Sequence, residues 1–190
     1  MLPPDHFDAL YAASPDPWEY DRRWYERRRH RLTLCCLPSE RYRRAFEPGC
    51  SNGALTSLLA PRCGEVVATD MSERAVMLAR SRTAHLGNVE VRRLRVPHEW
   101  PGGRFDLVVL SELGYYLLPP DLGRFLDRAE SCLDPGGHLV AVHWRGDADD
   151  FTVPGGAREV HDALLGRPGW ARAVSHTEAE LLVDVMERLS

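Results

Sequence analysis

Lysine and isoleucine are both missing from this chain of 190 residues, and all 24 of its basic residues are arginine. Without lysine two large enzyme classes are excluded, because a Walker loop sets a lysine on its nucleotide's phosphates and pyridoxal phosphate is held through a lysine Schiff base. Long apolar runs are also missing. Nothing approaches the roughly 20 residues that cross a bilayer, and Asp5, His6 and Asp8 stand where a secretory leader would be apolar. A cytoplasmic protein without membrane association is expected. Cys35, Cys36, Cys50, Cys63 and Cys132 form neither a CxxC pair nor the Cys/His spacing of a zinc site, so reduced thiols and no metal are expected. The formal net charge of -4 lacks the excess of positive charge that counterion release rewards, which argues against nucleic acid as a partner. Arg22, Arg23, Arg27, Arg28, Arg29 and Arg31 do crowd one segment, but Asp21 and Glu26 interrupt them, as on a solvated helix face.

The length falls within one domain, and a hydrophobic content of 44% is enough for a continuous core. Ser14-Pro15-Asp16-Pro17 is a turn signal with Asp16 as a candidate cap, and it predicts a helix from about Glu19 to Leu37, ended by Pro38. Short apolar runs then alternate with helical patterns. Strands are predicted at Tyr42–Phe46, Glu65–Thr69, Val89–Val96, Phe105–Leu110 and His138–Trp144, and helices at Gly53–Ala60, Ser72–Leu86, Pro120–Leu133 and Ala157–Leu165. Strict alternation is the signature of a parallel sheet covered on both faces. Ala171–Glu178 and Leu181–Arg188 break the rhythm and pair as an antiparallel hairpin. The expected fold is a Rossmann-like three-layer α/β sandwich, its seven-stranded sheet mostly parallel with a C-terminal antiparallel hairpin.

Glu47-x-Gly49-x-Ser51-x-Gly53 falls where the first strand turns into a helix, the edge at which doubly wound sheets bind ligands. The glycines let backbone pass close to a ligand, and the helix start adds unpaired N–H groups. The next strand delivers Asp70 to the same edge, where a carboxylate can accept both ribose hydroxyls of an adenosine. Three other readings compete. A nicotinamide fingerprint wants GxGxxG, but Ser51 and Ala54 hold its second and third glycine positions. The segment Gly49-Cys50-Ser51-Asn52-Gly53 also matches a GxSxG nucleophile elbow, yet no HGG-type oxyanion segment precedes it and Glu47 and Asp70 would go unexplained. Ordinary turn residues would leave the joint placement of loop, helix start and acid to coincidence.

The chain resembles the class I S-adenosylmethionine-dependent methyltransferases, and within them the nodulation protein S group, which N-methylates a deacetylated amino sugar of a chitooligosaccharide. The resemblance runs from about Asp16 to Glu187 and rests on Asp16-Pro17-Trp18, Tyr25-Glu26-Arg27-Arg28-Arg29-His30, Phe46-Glu47-Pro48-Gly49-Cys50 and Leu59-Ala60-Pro61-Arg62-Cys63. It continues in Phe105-Asp106-Leu107-Val108-Val109, Ser111-Glu112-Leu113-Gly114-Tyr115-Tyr116-Leu117 and Asp134-Pro135-Gly136-Gly137-His138-Leu139-Val140. A doubly wound sheet ending in a hairpin is that family's layout rather than the dehydrogenase one. The resemblance implies that residues 1–38 form a lid over a core of residues 39–190. Trp18 and Tyr20 would cover S-adenosylmethionine, and Arg29 would reach its methionine carboxylate. Glu47, Gly49, Ser51 and Gly53 would form the turn beneath it, Asp70 and Met71 would frame ribose and adenine, and Arg95, Val96 and Pro97 would line the adenine slot, with Ser111 beside them. The family usually offers an acid in that slot, whereas Arg95 and Val96 stand there in this chain.

Methyl transfer from a sulfonium is an in-line displacement of an activated group, so alignment and exclusion of water are the main requirements. An amine acceptor must also lose a proton, which a base tuned near neutrality accepts. His143, after the fifth strand, is the preferred candidate base, with Glu112 as positioner or alternative base and Tyr115 beside it. A small-molecule acceptor and a monomer or homodimer are expected. Asp147-Ala148-Asp149-Asp150 and Pro154-Gly155-Gly156 depart from the family pattern and are expected to shape the acceptor pocket. An O-methyltransferase, an RNA methyltransferase using the arginine-rich helix, and a catalytically idle cofactor-binding partner remain as alternatives.

Overall fold

A computed structural model describes residues 4–146 and 155–190. Seven strands, β1 (Tyr42–Pro48), β2 (Cys63–Asp70), β3 (Val89–Arg93), β4 (Phe105–Ser111), β5 (Leu133–Trp144), β6 (Trp170–Thr177) and β7 (Leu181–Arg188), form one sheet in the order β3-β2-β1-β4-β5-β7-β6. The pairings among β1 to β5 are parallel, and β7 runs antiparallel to both β5 and β6. This is the Rossmann-like sandwich expected. The second strand of the hairpin, not the first, joins the parallel sheet, so the turn from β6 to β7 lies beside the carboxyl end of β5, where Arg145 N–H donates to the Glu180 carbonyl at 2.9 Å.

Alternation along the strands builds the two faces. Phe46, Val108, Leu110, Leu139 and Ala141 point to one side, where they meet Phe125 and Leu126 of helix α5 (Pro119–Cys132) and Val160 and Leu164 of helix α6 (Gly156–Leu165). Ala45, Leu107, Val109, Val140 and Val142 point to the other, against Leu55 and Leu59 of helix α3 (Ala54–Leu59). Strands buried on both faces read as continuous apolar runs, as Phe105–Ser111 does. Helix α4 (Glu73–Thr83) starts after Ser72, whose hydroxyl caps it by accepting from Ala75 N–H at 3.2 Å.

The N-terminal segment differs most from expectation. Helix α1 (Pro4–Ala13) occupies a stretch for which no element was predicted, and helix α2 starts at Trp24, not Glu19, running to Cys35. Asp16 caps no helix. Its carboxylate accepts from Tyr20 N–H at 3.0 Å, Asp21 N–H at 3.3 Å and the Asn52 amide at 3.2 Å, which closes a turn and pins it to the first strand-to-helix loop. Three further contacts hold this segment: Asp8 with the Ser72 hydroxyl, Arg82 with Asp21 at 2.6 Å, and Arg28 with Glu178 at 2.6 Å. Cys50, Cys63 and Cys132 are buried, whereas Cys35 is exposed. Among the described residues no helix is long and apolar enough to cross a membrane.

Gly53 belongs to this packing rather than to a ligand site. Its φ is +78°, and a Cβ there would meet Ala79 Cα of α4 at 3.0 Å. Gly53→Ala is expected to cost roughly 1–3 kcal/mol through overpacking and backbone strain, lowering the thermal unfolding midpoint by several degrees. An unchanged melting curve would contradict this account.

Candidate active site

The carboxyl ends of β1, β2, β4 and β5 converge under the N-terminal segment and enclose a cavity of about 530 Å³, within the usual range of small-molecule sites. On the β2–β3 side it is lined by Tyr11, Asp70, Met71, Leu94 and Val96, and on the β4–β5 side by Ser111, Glu112, Tyr115, Tyr116, Trp144 and Glu180. Gly49 and Ser51 form the floor between them, and Trp18, Tyr20, Tyr25 and Arg29 come from the N-terminal segment.

Two non-glycine residues on the wall, Ser51 and Glu112, both have φ of +54°. Such backbone is uncommon for side-chain-bearing residues and collects where surrounding structure over-determines it, often at functional sites. Each is held by a carboxylate. Ser51 N–H donates to Asp70 Oδ2 at 3.0 Å while Ser72 N–H donates to Asp70 Oδ1 at 2.9 Å. Burial raises the Asp70 carboxyl to about 6, with the Ser72, Ser51 and Met71 N–H groups opposing the rise. Tyr11 closes the same corner, its hydroxyl donating to Ser51 Oγ at 2.6 Å.

At the other end the Glu112 carboxylate accepts from Trp144 N–H at 2.7 Å and from the Tyr115 hydroxyl at 2.5 Å. Burial raises its carboxyl above the ordinary range, against the pull of Arg29 and the Tyr115 hydrogen bond. The Arg29 guanidinium is itself buried. It donates twice to Glu26 Oε2, at 2.6 and 3.1 Å, and once to Ser111 Oγ at 2.8 Å, stands 4.0 Å from Glu112 Oε1, and packs over the Tyr20 ring. Tyr20 stacks in turn on Trp18. Beside Arg29 a chamber of about 20 Å³ is lined by Glu47, whose Oε2 has no hydrogen-bond partner among the described residues. Burial pushes the Glu47 carboxyl up to about 8.

Several expectations need correction. His143 does not reach the cavity. Its side chain shares a strand face with Leu139 and Ala141, so it points under α6, is wholly buried, and is bonded on both nitrogens, to Gly114 N–H and to His161. Arg95 and Pro97 are also off the wall: β3 ends at Arg93, and the chain beyond it turns Leu94 and Val96 inward while Arg95 N–H bonds outward to Glu99. Gly53 packs on α4, as described above. The loop expected from Asp147 to Gly156 lies largely outside the described residues. Phe7 and Tyr11 line the cavity unforeseen, although their i, i+4 spacing was visible, and so does Glu180, delivered by the β5–β7 pairing.

The matching family is a methyltransferase domain, over residues 45–137. Nodulation protein S of Rhizobium tropici is 31% identical over 179 residues, which cover 93% of this chain and 69% of that protein. The chain belongs to the class I S-adenosylmethionine-dependent methyltransferases of the nodulation protein S type. The N-methyltransferase NodS of Bradyrhizobium japonicum, solved with S-adenosylhomocysteine, superposes with a TM-score of 0.85 at 27% identity over 98% of this chain and 99% of that one. A candidate methyltransferase of Pseudomonas syringae is 48% identical, with a TM-score of 0.77 over 87% of this chain and 100% of that one.

The cofactor of this methyltransferase is S-adenosylmethionine, and the residues present fit it. Asp70 is fixed by two N–H groups yet keeps acceptor capacity for ribose hydroxyls. Leu94, Val96 and Met71 offer an apolar slot, Gly49 has φ of +71° where a Cβ would press on Leu113 at 3.3 Å, and Glu47 keeps an unpartnered oxygen. Among the described residues no group of three His, Cys, Asp or Glu side chains could hold a metal. Burial raises the Asp70 carboxyl to about 6, and a ribose held there through its hydroxyls would favour the ionised form, so that binding below that pH would expel a proton. S-adenosylhomocysteine affinity, measured by calorimetry, should therefore rise as pH increases through about 6. Asp70→Asn should flatten that rise and weaken binding about tenfold to a hundredfold, the range of one or two charge-assisted hydrogen bonds. Wild-type pH dependence retained in the variant would remove Asp70 from the site.

Proposed function

We propose that this methyltransferase N-methylates a small polar primary amine, and that an amino sugar is the acceptor class it fits best. The observation that carries the reading is the setting of Glu112. A partly buried carboxylate with a raised pKa faces the cavity at the end of β4, beside a second acid, Glu180, and the rings of Tyr25, Tyr116 and Trp144. Carboxylates and aromatic faces together hold a protonated amine. The N-methyltransferase named among the similar structures supports the same chemistry.

In this reading Asp70 holds the ribose, Met71, Leu94 and Val96 the adenine, and Arg29 with Glu47 the charged amino-acid end. Bound S-adenosylmethionine supplies a methyl group already activated on sulfur. Glu112 accepts the proton that the acceptor ammonium must lose, and its raised pKa suits that exchange better than an ordinary carboxylate's would. Tyr115 OH and Trp144 N–H each hold one of its oxygens and so aim it. The rings of Tyr11, Trp18 and Tyr20 exclude water. Residues 1–38 act as the lid of the core that follows. Half of the arginine cluster is engaged within the chain, since Arg28 binds Glu178, Arg29 is buried and Arg27 donates to the Asp21 and Arg22 carbonyls, which favours a small acceptor over RNA.

A labelled-methyl assay tests the reading. Transfer is expected to glucosamine oligosaccharides with a free amine and not to their fully N-acetylated counterparts. Glu112→Gln should lower turnover about 10²- to 10⁴-fold, the usual contribution of a positioned base, with S-adenosylhomocysteine affinity nearly unchanged. Methylation of the acetylated sugar, or a fully active Glu112→Gln, would count against it.

A further inference from the structure

We propose that Asp184, His161 and His143 form a hydrogen-bonded relay of fixed polarity that positions the Glu112–Tyr116 loop for methyl transfer. The proposal rests on the reading of Glu112 as the group facing the acceptor. None of the three side chains lines the cavity, so they are positioning residues.

The polarity follows from the backbone end. Gly114 N–H donates to His143 Nε2 at 3.1 Å, so that nitrogen carries a lone pair and the proton of the neutral ring is on Nδ1. His143 Nδ1–H then donates to His161 Nε2 at 3.0 Å, which leaves the proton of His161 on its own Nδ1, directed at Asp184 Oδ2 at 2.6 Å. Reversing any link would turn a His143 N–H against the Gly114 N–H. Burial, with the Arg29 guanidinium, holds His143 far below the ordinary histidine range and keeps the ring neutral. Asp184 is buried, which would raise its carboxyl, but the His161 bond together with Arg172, 3.9 Å from Oδ1, leaves it below the ordinary range and so ionised.

The relay meets the loop at close quarters. A Cβ on Gly114 would lie 2.9 Å from His143 Nε2 and 2.5 Å from Val160 of α6, so only glycine lets the backbone reach the ring. The His143 ring also packs edge-on to Tyr115, centroids 5.2 Å apart, and Tyr115 holds Glu112. The order of protons set at β7 thus fixes the backbone N–H that anchors the turn carrying Tyr115. A buried charged chain of this kind is a poor source of net stability compared with apolar packing, whereas orientation through a fixed tautomer is what such a chain supplies.

Asp184→Asn tests the relay in the full chain, because the amide can donate as well as accept and no longer sets the proton order. In ¹⁵N-histidine spectra wild-type His143 should show the Nδ1–H form alone across about pH 5 to 8, and the variant a mixture of tautomers. Gly114 amide exchange should quicken at least about tenfold and kcat fall by about tenfold to a hundredfold, the scale of a small misplacement, while S-adenosylhomocysteine affinity stays within about twofold. His161→Gln, whose carbonyl can accept from His143 while its amide donates to Asp184, should retain most of kcat and the slow exchange; His161→Leu should not. A proton on His143 Nε2 in the wild type, or Gly114 exchange unchanged in Asp184→Asn, overturns the relay. Loss of cofactor affinity in parallel with kcat assigns these residues to the fold alone and overturns positioning. The tautomer and exchange measurements need no acceptor, so a wrong amine assignment leaves them decisive.

Discussion

One buried carboxylate joins the first two strand-to-helix turns of this protein. Asp70 ends β2, yet its oxygens are satisfied by N–H groups on either side of it, Ser51 from the turn after β1 and Ser72 at the start of α4. Because Gly49, Ser51 and Gly53 are all left-handed, the turn after β1 exposes N–H groups on its inner side, as anion-holding backbone concavities do. The carboxylate fills that concavity from within the chain. The cost is desolvation, visible as a carboxyl raised to about 6, and it leaves a strong acceptor facing the cavity.

The β4–β5 side solves the opposite problem, a buried cation. Arg29 has a carboxylate on each side, Glu26 from its own helix and Glu112 from the sheet. Glu26 takes both close bonds, so removing it would leave the guanidinium with only the more distant Glu112, and an under-compensated buried charge costs far more than an exposed ion pair contributes. The sheet thus presents Asp70 at one end of the cavity and Glu112, with the buried Arg29 beside it, at the other. Burial raises both carboxyls although each has hydrogen-bond donors, and Arg29 opposes the rise at Glu112.

The strands and their alternation with helices were legible because apolar periodicity is local, and Asp70 because a strand end fixes where its next residue points. The rest depended on tertiary facts. Helix α1 is short, and its place is set by contacts with the start of α4 and with Ser51, which the spacing of Phe7 and Tyr11 does not reveal. His143 was misjudged because position along a strand gives the edge but not the face; counting back in twos to Ala141 and Leu139 sends it under α6, and Trp144, one residue on, to the cavity. Glu180 could not be placed until β7 was known to lie between β5 and β6.

Helix α1 places no side chain in any of the three apolar clusters of the protein. It rests on the Tyr11 and Asp8 hydrogen bonds and on a ring contact between Phe7 and Tyr116. The two halves of the N-terminal segment are therefore seated differently: Leu32, Leu34 and Leu37 root α2 and its end in the core, while α1 covers the cavity through Phe7 and the buried Tyr11, at the corner where Ser51 meets Asp70.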